Sequence, residues 1–298
     1  TPDAMEEAVL EIRENHGWGG RKIERRLKDL GYEDVPAPST ITAILDRHGK
    51  IDEEERQKRG PYQRFEADAP NDRWQMDFKG YFPIEGGQCH PLTILDDCSR
   101  FSIGLKACPN ERRTTVQGHL KQLFHQYGCP DEMLMDNGQP WGHDSEHRHT
   151  SLTVWLMEQG IRISHSRPYH PETMGKDERF HRTFKEAIQS ECEGRLMADC
   201  QPLFDDWRHT YNTQRPHEAL DLDVPSEHYE PSERSMPETI REWNYTECDA
   251  TRKVQANGVI TYENRLYLIG MGFAGKYVGL KETDTDKQMS IRFRKFGV

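Results

Sequence analysis

The chain has 298 residues, a formal net charge of −11 and seven cysteines. That length carries two or three domains with a proper core. With no apolar run of about 18 residues and no charged-then-apolar leader, neither a membrane span nor secretion is expected, and the protein reads as cytoplasmic. The acidic balance excludes a surface that binds nucleic acid throughout, so any DNA contact must come from local basic stripes. An odd cysteine count without C-x-x-C spacing points to buried free thiols rather than a disulfide framework or a cysteine-rich zinc site.

Residues 1–50 read as three short helices. Val9 and Ile12, then Ile23, Leu27 and Leu30, then Ile41, Ile44 and Leu45 fall at helical spacing, separated by Gly17 to Gly20 and Pro36 to Pro38. Ser39 is the expected N-cap of the third. The second holds Arg21, Lys22, Arg25, Arg26 and Lys28, a basic stripe within an acidic protein. A helix-turn-helix would place the third helix, with Thr40 and Thr42, in a major groove; a helical bundle with a solvated charged face is the alternative. Residues 51–72 are polar and charged and read as a linker.

From Arg73 strands and helices alternate. Trp74, Met76 and Phe78 alternate with Gln75 and Asp77; 90–95 and 101–105 are further strands, joined by the turn Asp96 to Arg100. Residues 111–127 read as a helix, 133–135 as a strand, 151–159 as a helix, 161–164 as a strand, and 175–190 and 200–220 as helices. This is an α/β layer architecture, assigned to 73–222 with a helical extension at its end. Residues 223–250, with three prolines between Pro225 and Pro237, read as a second linker. Short alternating strands over 251–298, with Glu263 and Asn264 at a turn, suggest a small β-barrel of about five strands with a locally basic surface that includes Lys276, Lys281, Arg292, Arg294 and Lys295.

Three acids stand in distinct contexts. Asp77 lies on the face of its strand opposite Trp74, Met76 and Phe78, and Asp136 follows an apolar strand and precedes an Asn-Gly turn. Ligands of open α/β sheets gather at such carboxyl ends. Glu178 sits on a helix whose buried stripe is expected to be Phe180, Phe184, Ala187 and Ile188, leaving Glu178, His181, Arg182 and Lys185 on the other face. A strand carboxylate needs a partner or a metal, and hard oxygen ligands suit Mg²⁺. Taken singly, an Asp in a strand or a Glu on a helix is more often structural than catalytic; the three together reverse that balance.

The motifs WQMDF, LTILDDCSRF, MDNG and RPYHPETMGKDERFHRTFK, with the tail YNTQRPHEAL, resemble the integrase core of bacterial insertion-sequence transposases, nearest to the IS four-eight-one family. The resemblance implies an RNase H-like core, a mixed five-stranded sheet with helices on both faces. It further implies an Asp77, Asp136, Glu178 site holding two Mg²⁺ ions, with Mn²⁺ able to substitute. The activity implied is cleavage and joining of double-stranded DNA at transposon ends by a homodimer or higher oligomer. It extends more weakly to the helix-turn-helix and the barrel. The spacing common among relatives lands on Glu172, but the pattern Y-[NH]-P-x-x-x-G-x-x-E passes from Gly175 to Glu178. Lys176, Arg179, Arg182 and Lys185 are expected phosphate contacts, as are Arg292 and Arg294. His143, His147 and His149 read as an exposed insertion, and Asp96 and Asp97 as caps of a hairpin turn. Two other readings stand beside this one: a domesticated DNA-binding protein without chemistry, and an RNase H-like nuclease that does not join ends.

Overall fold

The computed structural model describes residues 2–51, 67–142, 149–166, 175–283 and 288–298, with the side chains of 175–177 outside that description. The chain divides into two units, Thr1–Arg64 with Arg208–Tyr229, and Phe65–Trp207 with Glu230–Val298. The first departs from the expected boundaries, because residues 208–229 join the amino-terminal helices.

In the first unit α1 (Asp3–His16), α2 (Gly20–Asp29) and α3 (Pro38–Arg47) follow the predicted periodicity. Val9, Ile23, Leu27, Ile41 and Leu45 form their common core. α1 stops at Gly17, whose φ of 67° is a left-handed cap that a glycine adopts without strain. Gly20 is needed for space: a Cβ there would stand 2.5 Å from Pro38 O, so α2 and α3 touch backbone to backbone. The N-cap of α3 is Ala37 rather than Ser39; Pro38 takes the first helical position, where its missing N–H costs nothing.

In the second unit β1 (Arg73–Phe78), β2 (Phe82–Ile84), β3 (Gly87–Asp96), β4 (Ser102–Cys108), β5 (Glu132–Met135) and β6 (Arg162–His165) form one sheet. β3 runs antiparallel to β1 and β4, whereas β1, β5 and β6 are parallel. The order β4-β3-β1-β5-β6, with β2 added beside the start of β3, is the RNase H-like arrangement. Both faces are covered, which is why Gln75 is buried as fully as Trp74 and Met76. α4 (Arg113–Tyr127) and α5 (Ser151–Glu158) lie on the Trp74 side, where Phe124 stacks between Trp74 and Trp155. α6 (Gly175–Cys192) brings Phe184 against Phe82 of β2, at 5.6 Å between ring centres. Phe204 of α7 (Met197–Thr213) meets Phe184 at 4.9 Å.

The turn after β3 is capped as expected. Asp96 accepts from Ser99 N and Oγ at 2.7 and 2.6 Å and from Asn71 N at 2.8 Å, while Asp97 accepts from Ala67 N at 2.7 Å. Both acids are thereby spent on structure. The last residues of the first predicted linker are thus tied to the sheet; 52–66 lie outside the described residues. All seven cysteines are free thiols, five of them buried.

The second predicted linker is a strap. In one unit Val224 and Tyr229 are buried. In the other, Ser232 N donates to Tyr127 O at 2.8 Å, and the Arg234 guanidinium ties the carbonyls of Pro130, Gln159 and Gly160. Proline content suggested a spacer, but buried backbone carbonyls need donors and Arg234 supplies them. Beyond it, β7 (Ala250–Lys253), β8 (Val259–Tyr262), β9 (Arg265–Leu268), β10 (Tyr277–Glu282), β11 (Met289–Phe293) and β12 (Phe296–Gly297) form a four-stranded sheet β12-β11-β10-β7 and a separate hairpin β8-β9. The expected barrel is thus replaced by two sheets around one core, because Gly270 and the helical turn Met271–Phe273 separate β9 from β10. Glu263 and Asn264 do make the hairpin turn, with φ of 46° and 60°. Val154 and Met157 of α5 belong to that same core, beside Val254, Ile260, Phe273 and Val278.

Phe184 is fully buried between aromatic rings of β2 and α7. Phe184→Ala is expected to cost about 3–5 kcal/mol in urea denaturation; a loss below about 1 kcal/mol would place α6 elsewhere than against β2.

Candidate active site

β1 and β5 pair in parallel with Trp74 opposite Met133 and Gln75 opposite Leu134. Two further steps bring Asp77 alongside Asp136, the first residue past β5. The two acids thus sit at the carboxyl ends of neighbouring parallel strands, where ligands of open α/β sheets gather. Each is held by a backbone N–H: Phe78 N donates to Asp77 Oδ1 at 2.8 Å and Gly138 N to Asp136 Oδ1 at 2.9 Å. Gly138 keeps the approach clear, since a Cβ there would stand 3.2 Å from the Asp136 carboxylate. His165 Nδ1 lies 2.7 Å from Asp136 O, and Asn137 Nδ2 donates to Ser166 O at 2.9 Å, fixing the turn to the end of β6. Phe78 and Trp141 stack at 5.5 Å and close the opposite face.

Asp77 keeps 27% of its side chain exposed, yet its pKa is pushed up to about 7, first by burial and then by the charge of Asp136. Two neighbouring carboxylates, one of them disfavoured as an anion by its burial, form a hard-oxygen donor pair suited to a cation. This chemistry fits Mg²⁺ and does not fit a soft metal.

α6 supplies the third side of the site. His181, expected on its exposed face, is buried: Nε2 is 2.7 Å from Thr93 Oγ1 and Nδ1 is 3.8 Å from Asp77 Oδ2. Thr93 Oγ1 donates to Asp77 O at 3.0 Å. Its proton being used there, the imidazole must donate from Nε2, leaving the Nδ1 lone pair toward Asp77. Burial, with the nearby Lys79 charge, lowers the His181 pKa to about 3, so the ring is neutral. The sequence carried no sign of this network; the only hint was that His181 falls next to Phe180 and one turn before Phe184. Ala187, expected to be buried, is exposed, and the stripe is Phe180, His181, Phe184 and Ile188.

Glu178 lies one turn before His181 on α6 and is exposed. The i,i+3 spacing places it at the same edge of the helix as His181. Among the described residues, no three Asp, Glu, His or Cys side chains are gathered as a metal-holding group. The structure thus brings Asp77 and Asp136 together and leaves Glu178 outside the pair. Glu172, His143 and His147 lie outside the described residues, as does the side chain of Lys176. His149 packs edge-on against Phe273 at 5.3 Å, as part of the fold rather than an exposed loop.

The expected DNA-contact residues fall into two groups. Arg179, Arg182 and Lys185 on α6 and Thr40 on α3 are exposed. Thr42 is exposed too, its hydroxyl donating to Pro38 O at 2.7 Å. Arg25, Arg26, Arg292 and Arg294 already have partners within the protein. Arg25 bonds Asp29 and Asp223, and Arg26 bonds Gln214. Arg292 lies 3.6 Å from Glu247, and Arg294 covers the Trp243 ring. Arg21 stands 3.9 Å from Glu218.

Residues 67–171 match the family described as Integrase core domain, and residues 159–225 match a second family of that description. Residues 67–225 thus resemble integrase core domains. The chain is 25% identical over 230 residues to an insertion element IS476 protein of 39.2 kDa from Xanthomonas euvesicatoria, covering 75% of this chain and 64% of that protein. It is 25% identical over 159 residues to an insertion element IS407 protein of 31.7 kDa from Burkholderia multivorans, covering 53% of this chain and 55% of that protein. The chain thus spans less than two thirds of the length of both. The Pro-Pol polyprotein of feline foamy virus is 24% identical over 194 residues, 64% of this chain and 15% of the polyprotein. Proteins of two bacterial insertion elements and a viral Pro-Pol polyprotein thus all resemble part of this chain. No helix among the described residues is long and apolar enough to cross a membrane.

The raised pKa of Asp77 has a measurable consequence for the metal-free protein. An acid near 7 when folded and near 3.8 when unfolded favours the fold most below pH 3.8, and that contribution is lost as pH rises to 7. Asp77→Asn removes the charge and should stabilise the metal-free protein at pH 8 by about 2–4 kcal/mol, with little gain at pH 4. Urea denaturation in chelator at both pH values checks this; equal effects at the two would mean that the carboxylate is not strained.

Proposed function

We propose that this chain is a DNA transposase of the integrase type, which binds transposon ends, cleaves them at the 3′ side and joins them to target DNA. The observation that carries the reading is the pair Asp77 and Asp136, set side by side at the carboxyl ends of parallel strands, each held by a backbone amide. The likeness of the core to insertion-element proteins supports the substrate class. Asp77, Asp136 and Glu178 are the residues proposed to hold two Mg²⁺ ions, with Mn²⁺ a workable substitute. Such ions supply what phosphoryl transfer needs, activation of an attacking hydroxyl and neutralisation of charge on the leaving oxygen.

The chain's own residues do the positioning. The Phe78 and Gly138 amides hold the two carboxylates, and neutral His181 holds Thr93, which in turn bonds the Asp77 backbone carbonyl, without adding a positive charge that would compete with the cation. Arg179, Arg182 and Lys185 line one side of α6 as phosphate contacts, which place DNA without reading it. Thr40 and Thr42 on α3 are proposed to read base edges in the major groove, with Arg21 and Lys22 on the backbone beside them. Serving two ends at once requires at least a homodimer on double-stranded DNA, working in the cytoplasm.

Strand transfer with oligonucleotides of the element's ends tests this reading. Asp77→Asn and Asp136→Asn should each keep DNA binding and reduce Mg²⁺-dependent joining by at least about a thousandfold. Glu178→Gln should be equally inactive and Glu172→Gln active. Joining at a near-normal rate in either Asp variant would refute the assignment, and cleavage without joining in the unaltered chain would favour a simple nuclease.

A further inference from the structure

The tail motif Tyr211–Leu220 plays no part at the carboxylate pair, and the structure shows what it does touch. It lies in the same unit as α1, α2 and α3, and the basic stripe of α2 meets it at intervals. Arg25 Nη1 donates to Asp223 Oδ1 at 2.7 Å while its Nε donates to Asp29 Oδ1 at 2.8 Å. Arg26 Nη2 donates to Gln214 Oε1 at 3.1 Å, and Arg21 stands 3.9 Å from Glu218. Acceptors at 214, 218 and 223 thus answer arginines at 26, 21 and 25.

The loop bearing Asp223 is built to aim it. His217 N donates to Asp223 O at 3.0 Å, and the amides of Leu220 and Leu222 both donate to His217 O at 2.9 Å. Tyr211 packs edge-on against the His217 ring at 4.7 Å. Asp221 and Leu222 have φ of 52° and 72°. A left-handed leucine costs about 1 kcal/mol or more and persists only where its surroundings impose it. The strain falls on the residue just before the carboxylate that takes Arg25. Asp223 Oδ2 is occupied as well, 3.2 Å from His228 Nε2.

We infer that residues 214–223 form a receptor for the basic face of α2, docking the amino-terminal helices through Arg25 and Arg26, and that these two arginines are therefore not phosphate contacts. The inference concerns this chain's own interior contact and stands whether or not the protein joins DNA ends. It divides the stripe by role: Arg25 and Arg26 hold the unit together, and α3 is left as the face that meets DNA.

Hydrogen exchange of the α2 amides in the full chain without DNA tests it. Arg25→Gln and Asp223→Asn should each raise α2 exchange by about two- to five-fold, with the double variant falling short of the product of the two effects, because they share the Arg25–Asp223 interaction. Exchange in β1 and β3 serves as the control that the core remains folded. On a mixed-sequence DNA duplex, Arg25→Gln should leave the slope of log affinity against log salt unchanged, whereas loss of a phosphate contact would lower it by about 0.9. Unaltered α2 exchange in Asp223→Asn would overturn the inference. So would a reduced salt slope in Arg25→Gln together with tighter DNA binding in Asp223→Asn, since that pair of results means that Asp223 competes with DNA for Arg25. A chain that binds no duplex at all would sink the transposase reading and leave the exchange result to decide the dock alone.

Discussion

Parallel pairing of β1 with β5 is the constraint on which the rest of this molecule turns. Once those two strands are in register, Asp77 and Asp136 must stand side by side, whatever the cost of burying Asp77 next to a second acid. The surrounding structure is arranged to sustain that cost. Backbone amides hold each carboxylate, Gly138 leaves the approach open, and Trp141 seals the far side against Phe78. Active sites often concentrate such opposition to folding, with the aromatic packing of α6 and α7 offsetting it.

His181 shows how the same constraint shapes its neighbours. A charged imidazole beside Asp77 would form an ion pair and satisfy the carboxylate without a metal. Burial against Thr93 keeps the ring neutral and gives it one task, to hold the hydroxyl that bonds the Asp77 backbone carbonyl. Thr93 is the register partner of Asp77 on β3, so three elements meet at one carboxylate.

Much of this was legible in the sequence, for reasons that differ from element to element. The period-two alternation of Trp74, Met76 and Phe78 located Asp77 because successive strand side chains point to opposite faces, although helices on both faces bury Gln75 as well. The Glu263–Asn264 turn was legible because left-handed backbone favours few residues. His181 was misplaced because helical periodicity sorts apolar from polar side chains and cannot see that a polar ring finds a buried hydroxyl on another strand. The segment 223–250 was taken for a linker because prolines and charges also mark flexible chain. Its anchorage through Arg234 depends on carbonyls of Pro130, Gln159 and Gly160, far away in sequence. The basic stripe of α2 was visible as charge, but charge alone does not say whether phosphate or Asp223 answers it.

The shared wall at α5 has a mechanical meaning. Val154 and Met157 are core residues for the carboxy-terminal sheets as well as members of a helix that flanks β6, and Lys276 is bonded to Glu158 at the end of that helix at 2.6 Å. With the strap through Arg234 as a second tether, those sheets share a core with the helix that flanks β6. A change at Val154 or Met157 is therefore felt on both sides of α5, in the carboxy-terminal sheets and at the edge of the central one.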